Sequence, residues 1–256
     1  MGPVLLTLRT AVRDAFTNRR SFWVQVTAMA ANDLAWVIFW LLFFHKVGSV
    51  RGWDADRIIL LFAVLATASG VALGLLANAR RIGELIGDGQ LDAALALPVA
   101  PLPYLLSHRV DTVLLGDLFF GPILFAVAGH PTLGRTAVFA GASFLAATVL
   151  VGFLVAAGSL TFFIGGRGAQ SDIAFQAVLL LASYPLDVFG GATRVLLFTA
   201  VPAAFVTGLP TRLVDRFDLA VAAGLAGAAA FAVAAGAALF ALGLRRYASG
   251  AVFTRP

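Results

Sequence analysis

The 256-residue chain has no cysteine, which rules out a disulfide framework, a thiol nucleophile and a cysteine-based metal site. Lysine is nearly missing too: Lys46 stands alone beside 17 arginines. The phosphate-binding pattern GxxxxGK[ST] therefore has no match, so any ATP that drives this protein has to be held by another chain. Histidine occurs only as His45, His108 and His130, far apart in the sequence. Without an HExxH pair, a Cys/His cluster or a GxSxG elbow, a membrane enzyme is disfavoured. Charge of either sign is scarce as well. Asp, Glu, Lys and Arg make up 12% of the chain, against about 25% in soluble domains.

What remains is apolar. Hydrophobic residues reach 61% and the mean hydropathy is +0.95, a composition that water cannot keep in solution as a monomeric surface. The apolar runs are too long and too many for a soluble core, so residues 1–256 are read as one integral membrane domain with the lipid bilayer as its solvent. The net charge of +5 and isoelectric point near 10.7 could suggest nucleic acid. The basic residues, however, sit beside apolar segments, as membrane orientation requires, and form no stripe with interleaved exposed aromatics. No nucleic-acid partner is expected, and no cofactor bound by the chain itself.

Residues 4–20 place Leu5, Leu8, Val12 and Phe16 at helical spacing, with Arg9, Arg13 and Arg20 on the flank. This is the pattern of a helix lying in the interface; a frayed tail is the other option for so short a segment. The first span is predicted over 22–44, long enough to cross the hydrocarbon and too long for the apolar region of a signal peptide. Asn32 and Asp33 lie near its middle. A carboxylate facing lipid at that depth costs about 2.5–3.5 kcal/mol. Asp33 must therefore face a cavity, a partner helix or a donor, as a pathway residue or as a structural hydrogen-bonding one. Gly52-Trp53 follows in a short loop, where the tryptophan reads as an interfacial anchor. The second span, 58–77, carries Gly70 and Gly74 in a GxxxG spacing that lets another helix approach.

A polar, proline-marked stretch, residues 80–109, then separates two apolar segments. Arg80 and Arg81 open it, and Ile82, Leu85 and Ile86 lie one helical turn apart before the break at Gly87-Asp88-Gly89. Leu91, Ala94, Leu95 and Leu97 form a second short apolar face, stopped by Pro98, Pro101 and Pro103. The third span is expected over 110–128, with Asp111 near the interface, Asp117 about 9 Å deeper along the helix and a bend at Gly121-Pro122. A fourth span covers 137–164. The turn Gly165-Gly166-Arg167-Gly168 resembles a phosphate nest but lacks the preceding strand and the lysine, which favours a glycine-rich turn. A fifth span covers 173–186. Residues 187–210 read as a re-entrant or interfacial helical pair, tolerated at depth only when packed in protein or lining a cavity. The last span, 219–244, is followed by Arg245-Arg246. Six spans put both termini on one side, which then carries 11 Lys and Arg against 7 on the other; that bias places the termini inside.

Five groups of residues, in order along the chain, carry a resemblance. They are Asn18-Arg19-Arg20-Ser21-Phe22, Gly52-Trp53, Gly89-Gln90-Leu91-Asp92-Ala93-Ala94-Leu95-Ala96-Leu97-Pro98, Tyr184-Pro185, and Val201-Pro202-Ala203-Ala204-Phe205 with Gly208-Leu209-Pro210. Together they resemble the type-2 ABC exporter permeases, in particular the bacterial membrane subunits with unfused ATPases. The resemblance implies an all-α integral membrane fold of six transmembrane helices, with an N-terminal amphipathic interfacial helix, a cytoplasmic coupling helix and a re-entrant helical pair before the last span. It implies the bacterial plasma membrane as location, with both termini cytoplasmic.

By the same resemblance, the coupling helix falls at about 82–91 and docks into an ABC ATP-binding subunit, present in two copies that hold ATP and Mg. Glu84, Asp88 and Asp92 would be its polar contacts and Leu85, Ile86 and Leu91 its apolar ones, with Gly89 at the break. Tyr184, Pro185, Pro202, Phe205 and Pro210 would form an outer gate. A second permease, a paralogue or a second copy of this chain, would close the pathway. The resemblance does not extend to Asn32, Asp33 and Asp117, whose pathway role rests on their depth alone. The apolar walls suit a hydrophobic or amphiphilic cargo. An alternative is an ion-coupled secondary transporter using Asp33 and Asp117, less natural without an internal repeat. A non-transporting scaffold has no use for two buried carboxylates.

Overall fold

The computed structural model describes residues 2–166 and 168–247; Arg167 of the glycine-rich turn and Arg255, counted above with the inner side, lie outside them. Helix α1 (Gly2–Ala15) half-buries Leu8 and Val12 and packs on the helix at 101–107, while Leu5 and Leu6 stay exposed. Helix α2 (Arg19–Val47) starts where the Asn18 side chain accepts the Ser21 amide at 3.1 Å and stops at Gly48, which takes the positive φ that L-residues avoid. It buries only Phe22, Val37, Trp40 and Phe44, so it lies along the outside of the bundle.

Helix α3 (Ala55–Ser69) is its opposite. Capped by Asp54 on the Arg57 amide, it is buried at every residue from Ile58 to Ser69, as its lack of a polar face demands. A π turn, Gly70–Gly74, carries it on. Three short helices follow, α4 (Ile82–Gly87), α5 (Leu91–Leu95) and α6 (Pro101–Ser107). Then come α7 (Asp117–Ala128), α8 (Leu133–Ser159), α9 (Thr161–Ile164) and α10 (Gln170–Ala182). The chain ends its described part with α11 (Gly191–Thr199), α12 (Leu209–Asp215) and α13 (Leu219–Leu244). No strand occurs among the described residues.

Four stretches are long and apolar enough to cross a bilayer: Arg19–Val47, Ala55–Gly74, Leu133–Ile164 and Leu219–Leu244. The fold is thus an all-helical integral membrane protein. The segments expected as third and fifth spans come out short, as Leu114–Ala128 and Gln170–Ala182; the latter gives about 20 Å of helix. In the region expected to be re-entrant, α11 and the helical run Ala204–Asp215 meet at a bend of 78°.

Two packed centres hold these elements. The larger lies around α3, with α7 and α8 against it and α13 along α8. The GxxxG expectation is met in space: a Cβ at Gly70 would lie 2.5 Å from the Leu118 amide nitrogen, so α3 and α7 touch backbone to backbone. The smaller centre joins Ile82, Leu85, Ile86, Leu91 and Leu105 of the 80–109 stretch to Val155 of α8 and Phe240 of α13. One expectation is corrected. Trp53 is only 3% exposed and donates through Nε1 to Asp187 Oδ2 at 3.0 Å. The reciprocal Val50–Trp53 backbone pairing turns the ring inward, so it is not a lipid-facing anchor.

Candidate functional site

Asp33 stands at the midpoint of α2 and Asp117 opens α7. The fold makes them neighbours across a cavity of about 270 Å³ between α2, α3, α7 and α10. Asn32 Nδ2 donates to Asp33 Oδ1 at 3.4 Å. Asp33 Oδ2 and Asp117 Oδ1 are buried with no hydrogen-bond donor among the described residues. All three pathway candidates, Asn32, Asp33 and Asp117, thus line one space, and Tyr184 of the expected outer gate lines it too. Asp111 does something else: its carboxylate accepts the Val113 and Leu114 amides at 2.9 and 3.3 Å and caps the turn into α7.

The 80–109 stretch is two-sided. Ile86 and Leu91 are fully buried and Leu85 nearly so, so in this conformation these three brace the stretch against the bundle instead of facing outward. Its other side carries Asp88, Gln90, Asp92, Leu95 and Leu97, all exposed. Glu84 is half-buried and pairs with Arg81 at 2.9 Å, and Gly89 makes the turn at φ 71°. Asp92 also stands beside Tyr247, just past α13. The Tyr247 hydroxyl is pushed up to about 12, first by burial and then by the Asp92 carboxylate.

The bracing continues into α10. Arg80 pairs with Asp172 and lies over the Phe175 ring at 4.7 Å. Ser171 Oγ donates to the Arg80 carbonyl at 2.7 Å and accepts the Gly83 amide at 3.3 Å. A Cβ at Gly83 would lie 2.0 Å from the Gly168 carbonyl oxygen, so α4 rests directly on the turn that opens α10.

At the far end of α10 the expected gate residues are divided. Tyr184 packs edge-on against Trp40, and Pro185 leads into the turn that holds Asp187. Asp187 gathers Trp53 Nε1, Arg212 Nη2 at 2.5 Å and, through its carbonyl, Arg51 at 2.9 Å. Arg57 pairs nearby with Asp215 at 2.5 Å. Pro202 and Phe205 instead face a separate apolar groove of about 410 Å³ against α8 and α13, and Pro210 is buried at the start of α12.

Reasoning from sequence missed Asp187 as a hub and missed Gln176 and Ser183 as cavity residues. A signal for the last two exists: Asp172, Gln176 and Ser183, the last just past the end of α10, recur at helical spacing among residues that from Ile173 onward are otherwise apolar.

No curated protein and no solved structure matches the chain. The profile of the family described as ABC-2 family transporter protein matches residues 30–251, a span that includes the cavity lining except Met29, the braced stretch and the Asp187 hub. With most of its length inside that match, the chain belongs to the ABC-2 transporter family, whose members are membrane permeases that associate with an ABC ATP-binding subunit.

Proposed function

We propose that this protein is the membrane-spanning subunit of an ATP-driven exporter in the bacterial plasma membrane. It lines the path with a second permease, a paralogue or a second copy, and separate ATP-binding subunits, two per assembly with their ATP and Mg, dock on the 80–109 stretch. The two-sidedness of that stretch carries the reading: a buried inner face fixes it to α8, α10 and α13, and an outer face offers acidic and apolar side chains together. Docking uses Asp88, Asp92, Leu95 and Leu97. The buried Leu85, Ile86 and Leu91 pass force inward.

In this reading Leu114–Ala128 and Gln170–Ala182, with their flanking turns, complete six spans and leave both termini cytoplasmic. Support comes from the long-range ion pairs. Arg80 with Asp172, Arg212 with Asp187 and Arg57 with Asp215 each join segments that this topology puts on one side. Closure of the ATPases moves the braced stretch as a handle. The displacement enters α10 through Asp172 and Ser171, passes the cavity and reaches the Asp187 hub. That hub works as a latch, because exposed ion pairs are worth only about 0–1 kcal/mol each and can be exchanged within a cycle.

The test is a mild-detergent pull-down of tagged protein, wild type against Asp88→Arg with Leu95→Asp. An ATPase retained by wild type and lost from a variant that melts normally is the expected result; an ATPase retained by both overturns the docking surface. The meeting of Asp33 with Asp117 also suits an ion-coupled carrier. Failure to recover any ATPase from folded protein, with proton- or cation-driven uptake in vesicles, would favour that reading.

A further inference from the structure

Asp117 is 3% exposed, and its Oδ1, like Asp33 Oδ2, is a buried atom with no donor among the described residues, beside the cavity that both residues line. Among the described residues, no lysine, arginine or histidine lines the space. Arg80, whose guanidinium sits over the Phe175 ring, is taken by Asp172. The two carboxyls hydrogen-bond to one another and Asn32 donates to Asp33, but no cationic side chain among the described residues lining the space offsets the negative charge that the pair retains, which leaves a place for a positive charge from outside the chain. The walls fix what carries it. Trp36, Phe62, Phe120, Phe175 and Tyr184 surround the acidic pair, and aromatic faces attract a desolvated ammonium through their quadrupoles. A hard inorganic cation wants about six oxygen ligands. Here the two carboxylates are joined only by the neutral side chains of Asn32, Ser69, Gln176, Ser183 and Tyr184 in a mostly apolar wall, and no cluster of three His, Cys, Asp or Glu side chains that could hold a metal occurs among the described residues.

We propose that the Asp33–Asp117 cavity is the site for an organic ammonium cation with a small apolar or aromatic body, and that this is the class of cargo the permease moves. The transport role rests on the function proposed above, whereas the binding does not. A volume of about 270 Å³ suits a one-ring amine or the head of a longer amphiphile.

Binding is measured on the purified full chain in lipid nanodiscs, with no ATPase present, so that the result is independent of the docking reading. The probe is benzyltrimethylammonium, whose charge is permanent. Its neutral counterpart is neopentylbenzene, in which carbon replaces nitrogen, and empty nanodiscs correct for partition. The cation is expected to bind at least about tenfold more tightly than the isostere, equivalent to 1.4 kcal/mol. Asp117→Asn should abolish that preference while leaving the melting temperature unchanged. Should Asp117→Asn fail to fold, Asp33→Asn and the preference of the wild type decide. Equal binding of the two probes overturns the proposal, and so does displacement of the cation by sodium at equal concentration, which would make the site one for an inorganic ion.

Discussion

At its start α10 is held by backbone contact and a buried serine as well as by the half-exposed Arg80–Asp172 pair, whereas the turn at its far end relies on half-exposed charge at Asp187. The near end has Ile82, Ile86 and Leu91 in a closed apolar centre and Gly83 lying on the Gly168 backbone. The far end has Asp187 and its arginine, whose side chains keep 28% and 44% of their exposure. Apolar burial and backbone contact are insensitive to salt and leave one arrangement. Exposed ion pairs are screened within about 8–10 Å at ordinary ionic strength and tolerate exchange. In the transport cycle proposed above, the same helix would be stiff where force enters and replaceable where an opening is needed, with the acidic cavity between.

The contrast breaks if substitutions at the two ends cost the same. The largest effect is expected from Gly83→Val, whose side chain would collide with backbone: about 4 kcal/mol of stability lost, or no folded protein, in thermal melts in detergent. Ile86→Ala, which empties a fully buried site, should cost about 3 kcal/mol in the same assay. Asp187→Asn should cost only about 1 kcal/mol. High salt should erase the difference between Asp187→Asn and wild type while leaving the deficit of Ile86→Ala intact.

The smallest effect belongs to Tyr247 at the near end. Its hydroxyl rises from 10.0 to about 12 on folding, so between these values the unfolded chain releases its proton while the folded chain keeps it. Stability from this group is complete below pH 10 and is lost as the pH rises toward 12. Tyr247→Phe should remove that decline, read as melting temperatures at pH 9 and pH 11.

Much of this was legible in the residues. Length and hydropathy gave 22–44 and 219–244 within a few residues, because a span must be apolar whatever its neighbours do. Gly70 and Gly74 announced a close approach. The depth of Asp33 and Asp117 required a partner for each, though nothing in the sequence says that they partner one another; that depends on how α2 lies against α7. The fate of Leu85, Ile86 and Leu91 was also hidden. A short amphipathic helix has the same periodicity whether its apolar face meets another chain or its own bundle, and Val155 and Phe240, which decide the matter, are distant in sequence. Trp53 misled for a similar reason: its partner Asp187 is reached only through the fold.

The absence of cysteine makes the handle-and-latch account directly measurable, since introduced thiols are the only labelling sites. Two pairs of spin labels, Gln90→Cys with Ala169→Cys at the near end and Ser49→Cys with Val188→Cys at the far end, should be compared by pulsed dipolar spectroscopy. Both would be placed in the complex with its ATPase, without nucleotide and with trapped ATP. The account predicts a narrow near-end distance that ATP does not change and a far-end distance that shifts. A near-end distance that shifts while the far end stays fixed would contradict it.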